Sequence, residues 1–154
     1  MLDIDQLRRL IIRPALEAIH LHSEAAEELV LGTALQESAL RYLQQLGNGP
    51  ALGLWQMEPA THDDIHANFL KYKPDIAGRV NSLAVVPSAM TMTGNLWYAA
   101  AMCRIHYYRA PEALPEAGQL NAQAALWKKR YNTELGKGTA AEYVANWRRF
   151  MGDS

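Results

Sequence analysis

The sequence predicts an all-α protein of a single domain, and three observations carry that expectation. Apolar residues recur at spacings of three and four over 4–21, 95–108 and 139–151, the period of helices with a buried face. No pair of alternating apolar and polar runs is strong enough to demand a sheet. With 154 residues, 49% of them hydrophobic and 20% charged, the chain can bury a core without disulfides or metal. No internal repeat, low-complexity tract or linker divides residues 1–154.

Each element has its own justification. Ile4, Leu7, Ile11, Ile12, Ala15, Leu16 and Ile19 keep helical spacing, and Pro14 either kinks that helix or starts a second one, because proline removes a donor and crowds the preceding turn. Ser23 is a good N-cap with acids in the first turn behind it, so a central helix is expected from Glu24 to about Leu46. Gly47, Asn48, Gly49 and Pro50 end it in a turn-rich loop. Pro59 ends an extended or turning piece and a short helix is expected from Thr61 or Ala60 through Leu70, then a loop with helical turns over 71–87, in which SLAVV is ambiguous. Asn95 to Tyr108 is apolar nearly all round and reads as a buried helix. Ala110 to Gly118, with prolines at 111 and 115, is a connector; Ala122 to Tyr131 is a helix; Thr139 to Met151 is the last, its Tyr143, Val144, Trp147 and Phe150 forming a core stripe.

Composition narrows the function classes. No apolar run is long enough to span a membrane. The opening MLDIDQLRRLIIRP has acids before its arginines and no cleavage site after an apolar core, so no secretory signal is expected and synthesis is placed in the cytoplasm. Residues 1–77 hold eleven acids and six Lys/Arg, residues 78–154 five and nine. The basic residues of the second half are scattered apart from Lys128, Lys129 and Arg130, which reads as a solvated face and not as a nucleic-acid interface. Cys103 lies in an apolar helical run and reads as a small buried residue. His20 and His22 are too short and isolated a pair for a metal site, and no metal or cofactor is expected.

One residue stands out chemically. Glu37 is the only charge in LVLGTALQESAL, residues 29–40, and a carboxylate among Val30, Leu31, Ala34, Leu35 and Leu40 is costly unless it is hydrogen-bonded, solvated in a cleft or protonated. A raised pKa suits an acid catalyst. The plain alternative is a glutamate on a solvated helix face.

Glu37-Ser38, then a turn loop, then GLWQMEPAT at 53–61, then Tyr131-Asn132 before a glycine-containing loop and a closing helix, resembles the soluble lytic transglycosylase family of the lysozyme superfamily, with its goose-type lysozyme-like fold. That family's pattern is a Glu-Ser pair, a Gly-Leu-Met-Gln-hydrophobic-x-Pro-Ala-Thr run and a later Ala-Tyr-Asn-Ala-Gly. The resemblance implies a helical domain with a glycan groove and carries Glu37 over as the single catalytic acid/base. It places Ser38 beside that acid, Gln56 as the residue that orients substrate, Met57 as an apolar floor, Tyr131 as the tyrosine that hydrogen-bonds the acid, and Asn132 as its neighbour. Trp55, standing where the family has methionine, is expected to add a sugar-stacking face. Around Tyr131 the sequence KRYNTELGKG lacks the family's alanine and immediate glycine.

The implied reaction is cleavage of the MurNAc to GlcNAc β-1,4 bond of peptidoglycan, with the muramoyl C6 hydroxyl as nucleophile and a 1,6-anhydro end as product. A second carboxylate, from Glu58, Asp63 or Asp64, would instead make a hydrolytic muramidase. A wall enzyme without an export signal needs a carrier to reach the cell wall or periplasm: a phage particle, a holin or a secretion machine. The competing readings are a lysozyme-like structural or glycan-binding component of a virion tail, and a small cytosolic helical regulator, which predicts no groove at all.

Overall fold

The computed structural model describes residues 1–152, so the last two positions of the domain expected over 1–154 lie outside them. It is mainly helical, and among the described residues it has no strand, only isolated antiparallel bridges joining Gln44 to Leu52 and Leu52 to Met57. The first helical stretch runs through α1 (Ile4–Gln6), a π-helical segment (Leu7–Ile12) and α2 (Arg13–Ala18) without a break. The α-helical element α2 thus starts after Ile12 with Pro14 in its first turn, one of the two outcomes expected of the proline, although the helical stretch runs on without a gap. The wider π turns precede the proline. Proline at 14 has no N–H to offer the carbonyl four residues back, and the Leu10 carbonyl instead accepts the Trp97 indole N–H at 3.2 Å.

The central helix is α3 (Glu24–Ser38), opened as expected by Ser23, whose hydroxyl accepts from the Ala26 N–H at 3.0 Å. It is buried on almost every side, with Leu29, Val30, Leu31, Ala34 and Leu35 all within 1% of complete burial. Glu27 anchors it to the first stretch. Its carboxylate is 2% exposed and receives Arg8 at 2.5 Å, Arg13 at 2.9 Å and His22 at 2.8 Å. Those partners outweigh desolvation and hold its pKa down at about 2. On the opposite side Gly32 admits α9 (Ala140–Met151): a Cβ at that position would lie 2.0 Å from the Tyr143 hydroxyl.

The central helix does not reach Leu46. It stops at Ser38, and Ala39 and Leu40 follow with φ of 50° and 57°. Ser38 helps to end it: its hydroxyl donates to the Ala34 carbonyl at 3.2 Å and accepts from the Leu40 N–H at 3.2 Å, a local alternative to another helical turn. Two non-glycine residues in the left-handed region cost of the order of 1 kcal/mol each. The loop that follows supports them, with Gln45 N–H to Ala51 O at 2.9 Å and Gly53 N–H to Leu43 O at 2.8 Å.

Beyond the loop come α4 (Pro59–Asn68), a 3-10 turn (Leu70–Tyr72), α5 (Pro74–Asn81), α6 (Thr91–Gly94) and α7 (Leu96–Tyr108). SLAVV is neither strand nor core: Val85 and Val86 are 102% and 62% exposed on the loop before α6. The helix α7 is fully buried from Tyr98 through Cys103, and its N-cap is Asn95. Then α8 (Leu120–Leu126) runs into a second π segment (Trp127–Asn132), and α9 closes the chain behind a Thr139/Glu142 capping box. Among the described residues no helix is long and apolar enough to cross a membrane.

Candidate active site

The early end of α3 leaves Glu37 in its last turn, lining a cleft of about 690 Å³. It is lined by Gln45 and Ala51 from the loop after α3, by Gln56, Met57, Glu58 and Thr61, and by Tyr131 and Asn132 with the loop over 133–137, which forms part of its wall. Burial raises the Glu37 pKa to about 7, and a hydrogen bond from the Trp127 indole, Nε1 to Oε2 at 3.2 Å, partly offsets that rise. The last turn is also the negative end of the helix dipole, which works in the same direction as burial. Glu37 is thus an acid that keeps its proton near neutrality and gives it up readily.

The structure gathers some of the expected residues here and sends others elsewhere. Gln56, Met57, Tyr131 and Asn132 line the cleft with Glu37. Gln56 is held with φ at 47° and its side-chain amide donates to the Gly53 carbonyl at 2.9 Å, which presents the residue rigidly. Trp55 does not line the cleft. It is 1% exposed, its indole donates to the Val30 carbonyl at 2.8 Å, and it is a core residue with no face to offer a sugar. Ser38 is 2% exposed and spends its hydroxyl on ending α3. Tyr131 does not bond the acid: its hydroxyl donates to the Trp55 carbonyl at 2.5 Å, and its ring stacks on Tyr107 at 5.5 Å.

Sequence reasoning missed Trp127, His106 and Lys137. Trp127 is 90 positions from Glu37 and reads as one more apolar residue of a helix, so nothing local marks it as the partner of the acid. His106 lines the cleft with its ring edge-on to Tyr131 at 5.0 Å, and burial drives its pKa down to about 4, so it is neutral around pH 7. Lys137 also lines the cleft, within a loop pinned from below by Lys128. The Lys128 ammonium donates to Asn132 Oδ1 at 2.6 Å, Thr133 O at 3.0 Å and Gly136 O at 3.0 Å, which uses its three donors.

Of the three carboxylates named as possible partners, Glu58 lines the cleft. Asp64 is bound to Arg109 at 2.7 Å and to Asn68 at 2.6 Å on the outside of α4. Asp63 faces a second, more open depression of about 850 Å³, where its carboxylate accepts from His62 Nδ1 at 2.8 Å. His62 and His66 there both approach the Tyr98 hydroxyl, at 2.6 and 2.9 Å. Cys103 is buried and its thiol is pushed well above its ordinary pKa by that burial. Of the sequence's histidine pair, His22 is engaged by Glu27 and His20 lies exposed with φ at 60°. Among the described residues no group of three or more His, Cys, Asp or Glu is arranged to hold a metal ion.

Compared with family models, curated proteins and solved structures, the chain finds no match. The structure shows a mainly helical domain in which Glu37, its pKa raised to about 7 by burial, lines a cleft of about 690 Å³.

Proposed function

We propose that the protein is a lysozyme-like peptidoglycan lytic transglycosylase that cleaves the MurNAc to GlcNAc β-1,4 bond with Glu37 as its single acid/base. The observation that carries this reading is Glu37 itself, a carboxyl raised to a pKa of about 7 by burial and lining a cleft large enough for sugar rings. In its protonated form Glu37 gives its proton to the leaving O4 of GlcNAc as the bond to the muramoyl C1 breaks. The substrate's own acetamido group steadies the positive charge that develops at C1. The resulting carboxylate then takes the proton of the C6 hydroxyl as that oxygen bonds C1, which returns Glu37 to its starting state and consumes no water. Gln56 and Asn132 supply polar contacts to sugar hydroxyls, whereas Met57, 3% exposed, packs into the core beneath them and offers a sugar ring little surface.

A second reading, a hydrolytic muramidase, is favoured by one observation: Glu58 shares the cleft and offers a base for water. Digestion of purified peptidoglycan by the wild type and by E37Q, with mass analysis of the muropeptides, separates the readings. Anhydro ends from the wild type that vanish in E37Q are the expected result. Reducing MurNAc ends would replace it by hydrolysis. Release by neither protein, where a control enzyme works, would overturn the enzyme reading in favour of a structural or glycan-binding component of a virion tail.

A further inference from the structure

We propose that Trp127 is the positioning residue of the cleft: its indole, wedged between the Glu37 carboxyl and the backbone of Gly138, fixes that carboxyl and ties it to the cleft's outer wall. The catalytic consequence rests on the reading of Glu37 as the acid, whereas the contact is a property of the folded chain alone.

Three contacts leave the indole nowhere to swing. Trp127 is 0% exposed, and its Nε1 lies 3.2 Å from Glu37 Oε2. The far edge of the ring meets Gly138, where a Cβ would sit 2.6 Å from Cη2. The ring of Tyr143 packs beside it, with centroids 5.6 Å apart at 36°. Gly138 in turn ends the wall loop that Lys128 clamps at Thr133 and Gly136. Wall loop, indole and carboxyl therefore stand in series.

The chemistry of the contact is directional. An indole N–H only donates, so Oε2 must accept in either ionisation state of Glu37, and the acid's proton is placed on Oε1. The same bond favours the carboxylate, opposing the burial that raises its pKa. The other ionisable groups around Glu37 are Glu58, His106, Tyr131 and Lys137 in the cleft, with Cys103 behind it. His106 titrates at about 4, and Tyr131 and Cys103 well above their ordinary values, so those three are silent around pH 7.

The test is a pair of NMR titrations between about pH 5 and 9, a window that brackets the shifted acid. In 15N spectra of the tryptophan indoles, the Trp127 signal is expected to move with a midpoint near 7 in the wild type and to lose that movement in E37Q. In 13C spectra of the side-chain carboxyls, W127F is expected to raise the Glu37 midpoint by about half to one pH unit, the value of one neutral hydrogen bond. A Trp127 indole that ignores pH in the wild type, or a Glu37 midpoint unmoved in a folded W127F, overturns the proposal. Should W127F fail to fold, the comparison of wild type with E37Q decides by itself. Both readouts work on protein without substrate, so a wild type that releases no muropeptides would sink the transglycosylase reading and leave this one standing. If both stand, W127F shifts the alkaline limb of the muropeptide-release profile upward by the same amount, which a merely structural loss would not do.

Discussion

Glu37 is the residue on which the chemistry turns, and its environment makes a prediction with a definite sign. A general acid works in its protonated form, so activity should be full on the acid side and fall as pH rises through about 7. E37Q should lower muropeptide release about a hundredfold or more, since general acid catalysis contributes roughly that much. A profile that keeps rising to about pH 9 would show that the protonated carboxyl is not the working form. A second residue-scale prediction concerns Tyr143, whose hydroxyl is buried without a hydrogen-bond partner among the described residues and presses against Gly32. Removing an unsatisfied buried hydroxyl removes its desolvation penalty, so Y143F should be neutral or stabilising by about 1 kcal/mol in urea unfolding. A loss of more than about 1 kcal/mol would mean that the hydroxyl is satisfied in solution.

At the scale of elements, the starts of α3, α7 and α9 were legible in the sequence, whereas the end of α3 and the helix α5, expected as a loop with helical turns, were not. Ser23, Asn95 and Thr139 cap α3, α7 and α9 with their own side chains, a local signal that a single residue type carries. The end of α3 has no such signal, because Ala39 and Leu40 are good helix formers placed in the left-handed region by the loop that folds back through Gln44, Leu52 and Met57. That same early end opens the cleft. Glu37 was legible because it is one charge in an apolar run, and Trp127 was not, because an indole looks the same in sequence whether it fills a core or donates to an acid. The resemblance also placed Trp55 at the surface, where residue type alone gives the core that the indole bond to Val30 requires. Two elements make predictions of their own. E27Q leaves Arg8 and Arg13 without their buried partner and should cost about 2 to 3 kcal/mol, whereas R9A, which breaks only the exposed contact to Asp5, should stay within about 0.5 kcal/mol. K128M unpins the wall loop, so amide exchange over 133–138 should accelerate at least about tenfold while α3 stays protected, a single lost charge-assisted bond being worth about 1.5 kcal/mol and three being lost. Uniform acceleration across the molecule would make Lys128 a global contributor instead.

For the whole molecule, the two buried titratable groups of the cleft act on stability in opposite senses over the same pH range. Glu37 has its folded pKa raised from 4.5 to about 7, so its contribution is fully present below 4.5 and is lost as pH rises through about 7. His106 has its folded pKa lowered from 6.5 to about 4, so its contribution is present above 6.5 and is lost as pH falls through about 4. His66, lowered by burial and by His62 beside it, acts with His106. Between pH 4.5 and 6.5 the two slopes oppose each other, and unfolding free energy should be nearly flat across that window. Below it, the lowered acid Glu27 adds a further loss as pH falls toward about 2. The cancellation is testable because either half can be removed. E37Q should uncover the histidine slope, so that stability climbs by about 3 kcal/mol between pH 4 and 6.5 and then levels, a change of about 6 to 12 °C in Tm for a chain of this size. H106N should uncover the glutamate slope, with stability falling from pH 4.5 to 7. Parallel curves for wild type, E37Q and H106N would mean that neither group keeps its shifted pKa in the folded protein, and Glu37 would then be an ordinary solvated glutamate.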